Sequence, residues 1–250
     1  MRAPRSAAAL TALLLGLSGS GALSACGSGT GTAPLAGVDG LEVPTPSPDP
    51  DDFVAEVDNP WLPLVVGSSA VYEPGTGVLG ADVAQLLVSV EEGPQVAGVA
   101  TTAVRRTTTG SEGTVPPDPE AGGETVDYYA QDAAGNVWWF GREGEWLAGE
   151  DGAEAGVAML ATPRVGDGYR EALAAGIDVR AQVLSLDEEA TTPAGTFGGL
   201  VLVEVRDTAA DRVERRAYAE GLGLVAVETV SGTPDVRLGL VQVDEPQSGS

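Results

Sequence analysis

The sequence predicts a mainly β protein, a curled antiparallel sheet forming an open barrel or half-barrel, with a β-sandwich as the alternative architecture. Three observations carry this. Period-two runs rich in Val, Thr and aromatic residues recur at regular spacing. Glycine, proline and aspartate separate them, with 35 glycines and 17 prolines in 250 residues. No stretch of the folded part has a convincing amphipathic helical period.

The first 25 residues read as a leader. Arg2 and Arg5 precede an apolar stretch, Ala7 to Leu17, that is too short to span a bilayer. Leu23-Ser24-Ala25-Cys26 follows, which resembles the lipobox of bacterial lipoproteins. That resemblance implies cleavage before Cys26 and lipid attachment to it. It predicts an extracytoplasmic protein held to the cell membrane through this anchor. Losing residues 1–25 removes two arginines and no acid, taking the formal charge from −24 to −26. Cys26 is the only cysteine, so once lipidated it leaves no internal disulfide.

Residues 26–52 are Gly, Ser, Thr, Pro and Asp with little to bury, and read as a disordered tether. A single β-rich domain is expected over 53–243, with 244–250 as a disordered tail. Within it, Asn59-Pro60-Trp61-Leu62-Pro63-Leu64 is rigid and apolar, and its prolines exclude a helix. Strands are expected at Ser68–Glu73, at Asp82–Val90 (where Val88, Ser89 and Val90 favour strand over a short helix) and at Val99–Thr109. Glu73–Gly77 reads as a turn and Ser111–Gly123 as a proline-rich loop. Thr125, Asp127 and Tyr129 alternate with Val126, Tyr128 and Ala130, then Asp132–Asn136 turns the chain into Val137-Trp138-Trp139-Phe140. This aromatic hairpin is the heaviest apolar feature of the sequence. Trp146-Leu147 is a possible short strand, and Gly149–Gly156 reads as an acidic loop. Further strands are expected at Tyr169–Leu173, Asp178–Asp187, Leu200–Val205, Arg212–Tyr218, Leu224–Val230 and Val236–Val243, about ten in all. Leu200–Val205 is the most continuous apolar run and is expected in the middle of its sheet.

Four phrases, NPWLPL, DYYAQDAAGNVWWFG, TPAGTF and YAEGLGLV, together resemble a family of actinobacterial secreted proteins and lipoproteins with no established activity. The Pro-Ala-Gly-Thr-Phe turn and the Tyr-Ala-x-Gly-x-Gly-Leu-Val phrase are more remotely similar to LolA-like half-barrel domains. That resemblance implies a curved sheet able to hold an acyl chain or another lipoprotein.

Missing residue types narrow the chemistry. Without histidine there is no Ser-His-Asp or Cys-His catalysis and no imidazole metal site. All 13 basic residues are arginine, so Schiff-base and P-loop chemistry are excluded too. A formal charge of −24 disfavours nucleic acid as a partner. Heavy Ala, Gly, Val and Arg use suits GC-rich coding, and an acidic halophilic surface explains the charge equally well. Asp207-Thr208-Ala209 lacks the glycine of an aspartic-protease turn. Glu150, Asp151 and Glu154, or Asp132 with Asn136, match no calcium-loop spacing. No catalytic residue, metal or cofactor is expected. The expected function is a non-enzymatic lipoprotein, binding a lipid or other apolar ligand on its concave face. The alternatives are a surface interaction protein with a filled core, partnering an envelope protein, and a carboxylate-dependent hydrolase. Trp138 and Trp139 must point to opposite faces. Trp61, Tyr128, Trp138, Trp139 and Phe140 are the candidate ligand wall.

Overall fold

The structure, a computed structural model, describes residues 49–74, 83–110, 123–233 and 236–246. The leader, Cys26, the tether up to residue 48, the Gly75–Gly77 turn and most of the Ser111–Gly123 loop lie outside the described residues.

Among the described residues fourteen antiparallel strands form one sheet: β1 (Phe53–Val54), β2 (Ser69–Pro74), β3 (Val83–Val96), β4 (Val99–Gly110), β5 (Glu124–Asp132), β6 (Val137–Arg142), β7 (Trp146–Leu147), β8 (Glu154–Met159), β9 (Gly168–Ala174), β10 (Ile177–Thr192), β11 (Gly195–Asp207), β12 (Arg212–Ala219), β13 (Gly223–Ser231) and β14 (Arg237–Asp244). The spatial order runs β5-β4-β3-β2-β14-β13-β12-β11-β10-β9-β8-β6, and β6 pairs back to β5. The curled sheet therefore goes further than a half-barrel and closes into a twelve-stranded barrel, while β1 and β7 flank β5 and β6. Closure leaves the barrel strands without a free edge.

Strand β8 lies where the sequence reads as the end of an acidic loop. Its alternation is hidden because Gly156 faces the β9 backbone. A Cβ there would overlap the Arg170 carbonyl oxygen and the Glu171 carbonyl group, so the strand approaches β9 only because the side chain is absent.

Two long hairpins bend over the outside of the barrel. Strands β10 and β11 shift register three times between Val183 and Ala190, and each shift bends the ribbon. Its tip reaches β14, where the Ala194 amide donates to the Leu240 carbonyl at 2.9 Å. The inner face of β11 puts Val201, Val203 and Val205 into the barrel, while Leu200 and Leu202 are covered on the outside with Phe197 and Ala190. This is why Leu200–Val205 is apolar at every position. The β3–β4 hairpin shifts register between Glu92 and Gln95, and its tip brings Val96 and Val99 against Phe140, Trp138 and Tyr128 on the outer face of β5 and β6.

One end of the barrel is stoppered by the Asn59–Leu64 segment. Asn59 is 1% exposed and uses its whole side chain. Its Nδ2 donates to the carbonyls of Gly135 (2.7 Å) and Leu160 (3.2 Å), and its Oδ1 accepts from the amides of Trp61 (2.8 Å) and Leu62 (3.1 Å). On the far side of the opening, the Gly221 amide of the β12–β13 turn donates to the Pro60 carbonyl at 2.7 Å. Three of the four sequence phrases meet here, each as a structural part of the same closure.

Candidate functional site

The barrel surrounds a partly open hollow of about 310 Å³, and strand register decides what faces it. On β5, alternation turns Asp127 and Tyr129 inward and Val126, Tyr128 and Ala130 outward. Val104 of β4 opposes Asp127, which opposes Arg142 of β6, and Val88 of β3 opposes Arg106 of β4. On β12, Glu214, Arg216 and Tyr218 all face the hollow.

The wall divides by chemistry. Four consecutive barrel strands, β3, β2, β14 and β13, supply an apolar side that includes Ala70, Leu86, Val88, Leu224, Val227 and Leu238. Strands β4, β5, β6, β9 and β12 supply the charged side. There the groups form two clusters. In one, Asp127 accepts from Arg142 Nε at 2.8 Å and from Arg106 Nη1, while Arg106 Nη2 lies 3.4 Å from the Tyr129 hydroxyl. In the other, Arg216 donates to Glu171 Oε2 and Glu214 Oε2, each at 3.1 Å, and Arg212 pairs with Glu214 Oε1 at 3.2 Å. The Arg142 guanidinium also sits 5.4 Å above the Trp139 ring, a cation–π arrangement.

Acids and bases are buried to different depths. The side chains of Asp127 and Glu171 are 1% and 3% exposed, whereas Arg106 and Arg216 keep 31% and 26%. Both arginines and their carboxylate partners line the hollow, and the lower exposure of Asp127 and Glu171 leaves the guanidinium groups the more accessible charges there.

Burial pushes the Glu171 carboxyl above its ordinary range, against the pull of Arg216. Burial acts the same way on Glu214, but Arg216 and Arg212 outweigh it and hold that carboxyl low. Such a divergent pair can mark a general acid and base. Here both Glu214 oxygens are taken by guanidinium groups. Burial also raises the Tyr129 and Tyr218 phenols, so both are neutral hydroxyls at physiological pH. Glu171 Oε1 and the Tyr169 hydroxyl are buried without a hydrogen-bond partner among the described residues.

The five candidate wall residues do not share one face. Trp139 lines the hollow, and its ring packs edge-on against Trp146 with centroids 5.0 Å apart. Trp138 and Phe140 pack on the outer face against Phe53, at centroid distances of 6.1 and 5.2 Å, and Tyr128 joins them there. Trp61 packs at the stoppered end. Asp132 is occupied as a turn anchor, accepting from the Asn136 amide (2.8 Å), Asn136 Nδ2 (2.9 Å) and Trp138 Nε1 (2.9 Å). Among the described residues no group of three acidic side chains is placed to hold a metal ion.

Sequence reasoning missed the charged wall. Its one local trace is Arg212–Tyr218, where Arg212, Glu214, Arg216 and Tyr218 alternate along a strand bracketed by two apolar ones. That pattern fits a strand whose polar face is turned inward as well as one turned to solvent.

The class defined by fold and site is thus a closed antiparallel β-barrel with a two-sided internal hollow. No family model matches the chain, and no curated protein matches it. Two solved structures align over most of its length. One is a protein named as exported, with a YmcC-like fold, from Bacteroides fragilis: 13% identity, TM-score 0.42, covering 74% of this chain and 99% of that one. The other is a protein named as a lipoprotein from Parabacteroides distasonis: 13% identity, TM-score 0.35, covering 73% and 97%.

Proposed function

We propose that the chain is a lipid-anchored extracytoplasmic binding protein whose barrel hollow takes a small ligand with an apolar body. Cys26 carries the anchor, and the stretch following it spaces the barrel from the membrane. One observation supports the binding reading above others: twelve strands close around an interior of about 310 Å³ where a filled barrel would pack side chains. That volume falls at the small end of ligand sites, which run from about 300 to 1,000 Å³. An apolar wall spanning four strands supplies the contact area. The occupied carboxylate oxygens of Glu214 and the absence of histidine, lysine and a second cysteine favour binding over hydrolysis.

The test is uptake of a neutral apolar dye, Nile red, by the chain from residue 26 onward. Wild type is expected to bind it with a blue-shifted emission. Val227→Trp, which places an indole in the hollow, is expected to abolish uptake while the β-sheet circular dichroism persists. A folded wild type that takes up no dye overturns the reading. The anchor is tested separately: Cys26→Ser in the full chain is expected to move the protein from the membrane fraction to the soluble extracytoplasmic fraction, and unchanged fractionation refutes that part.

A further inference from the structure

We infer that the hollow selects a monoanionic amphiphile, a single apolar chain carrying one delocalised negative charge, and that Arg106 and Arg216 recognise that charge. This rests on the hollow being the ligand site and adds the chemistry of what enters it.

The charged wall holds four guanidinium groups (Arg106, Arg142, Arg212, Arg216) and three carboxyl groups (Asp127, Glu171, Glu214), a formal excess of one positive charge. That excess is enclosed in a chain whose formal charge is −24, so the interior and the whole carry opposite signs. At contact range inside a barrel, local charges dominate over distant screened ones. Depth then fixes which sign a ligand meets. The carboxylates are less exposed than the arginines, and five of their six oxygens already face a guanidinium. A cationic head group finds no free carboxylate pair, whereas an anionic one finds arginine faces already oriented by those carboxylates. A planar guanidinium fork matches a carboxylate or phosphodiester with two parallel hydrogen bonds. The neutral Tyr129 and Tyr218 hydroxyls stand beside Arg106 and Arg216 as additional donors. Across the hollow lies the mainly apolar wall of β3, β2, β14 and β13, where the chain of the ligand packs. A charged wall facing an apolar wall is the complement of an amphiphile.

Titration calorimetry of the chain from residue 26 onward, with four single-chain probes below their micelle concentrations, tests this. The probes are decanoate, lysophosphatidylglycerol, decanol and decyltrimethylammonium. At least one anionic probe is expected to bind about tenfold or more tighter than decanol, and the cationic probe to bind more weakly than decanol. Which anionic probe binds better distinguishes a fatty-acid source from a phosphodiester lipid. In Arg106→Gln, where Asp127 keeps Arg142 as its partner, the anionic preference is expected to shrink to about twofold or less. If that variant does not fold, the comparison among probes on wild type decides alone. Decanol binding as tightly as both anions overturns the charge assignment and leaves the binding function standing. No binding by any probe or by Nile red overturns both.

Discussion

Asp127 and Arg142 are joined by a 2.8 Å bond from Arg142 Nε to Asp127 Oδ1, and the two partners differ thirtyfold in exposure, 1% for the acid and 31% for the base. The pair is directional: the carboxylate is sealed in the wall, and the guanidinium it holds is left facing the hollow above Trp139.

Replacing Asp127 by Asn removes the buried counter-ion of both Arg106 and Arg142. Losing one partner of a buried ion pair costs about 3–5 kcal/mol, because the remaining charge is left uncompensated. The expected result is a fall in unfolding free energy of that size in denaturant titration. A loss below about 1 kcal/mol would place the two arginines in bulk water.

Asn59→Ala removes the side-chain ties of the stopper to Gly135 and Leu160 at once, leaving the Gly221–Pro60 backbone bond. Four side-chain hydrogen bonds are lost and the Trp61 and Leu62 amides lose their side-chain acceptor. At about 1 kcal/mol net per bond, the expected destabilisation is about 3–4 kcal/mol. Faster backbone exchange at the β5–β6 and β12–β13 turns should accompany it, and unchanged exchange there argues against the stopper.

Gly156→Ala drives a methyl group into the β9 backbone at Arg170 and Glu171. Neither neighbour is a flexible side-chain end, so β8 must separate from β9. Loss of soluble folded protein or a steep drop in Tm is expected, while Gly198→Ala on β11, where a Cβ meets no atom within 4 Å and the backbone is not left-handed, is expected to fold normally.

All five tyrosines have phenols raised above the ordinary value of 10, with burial the leading cause in each, and Tyr72 is pushed up to about 12. A raised phenol keeps its proton in the folded state after the unfolded chain has lost it. The tyrosines' contribution to stability is therefore constant below pH 10 and is lost as pH rises above it, continuing for Tyr72 to about pH 12. Tyrosinate absorbance is expected to appear in one steep step coincident with loss of circular dichroism. A gradual rise near pH 10 with the fold intact would contradict the buried placement.

Much of the barrel was legible because period-two alternation and glycine turns are local signals. The β5–β6 hairpin falls where the sequence places it, with Trp138 and Trp139 on opposite faces. What alternation could not supply was which face is inside. Val126, Tyr128 and Ala130 are buried, but on the outer surface under the β3–β4 tip and Phe53. The polar set Thr125, Asp127 and Tyr129, which ordinarily turns to solvent, includes two residues that line the hollow. An interior that is partly charged inverts the usual rule. The partners that make the inversion tolerable are far away in sequence, 21 residues from Arg106 to Asp127 and 45 from Glu171 to Arg216. No local pattern connects them. Strand β8 escaped for a related reason, since the glycine that lets it pack also removes its alternation.

The most direct test of the account is a crystal structure of the chain from residue 26 onward grown with decanoate brominated at its terminal carbon. Anomalous bromine density is expected inside the barrel on the β2 and β14 side, near Ala70 and Leu238, with the carboxylate turned toward Arg106 and Arg216. Bromine density confined to the outer surface, with the hollow unchanged, would contradict it.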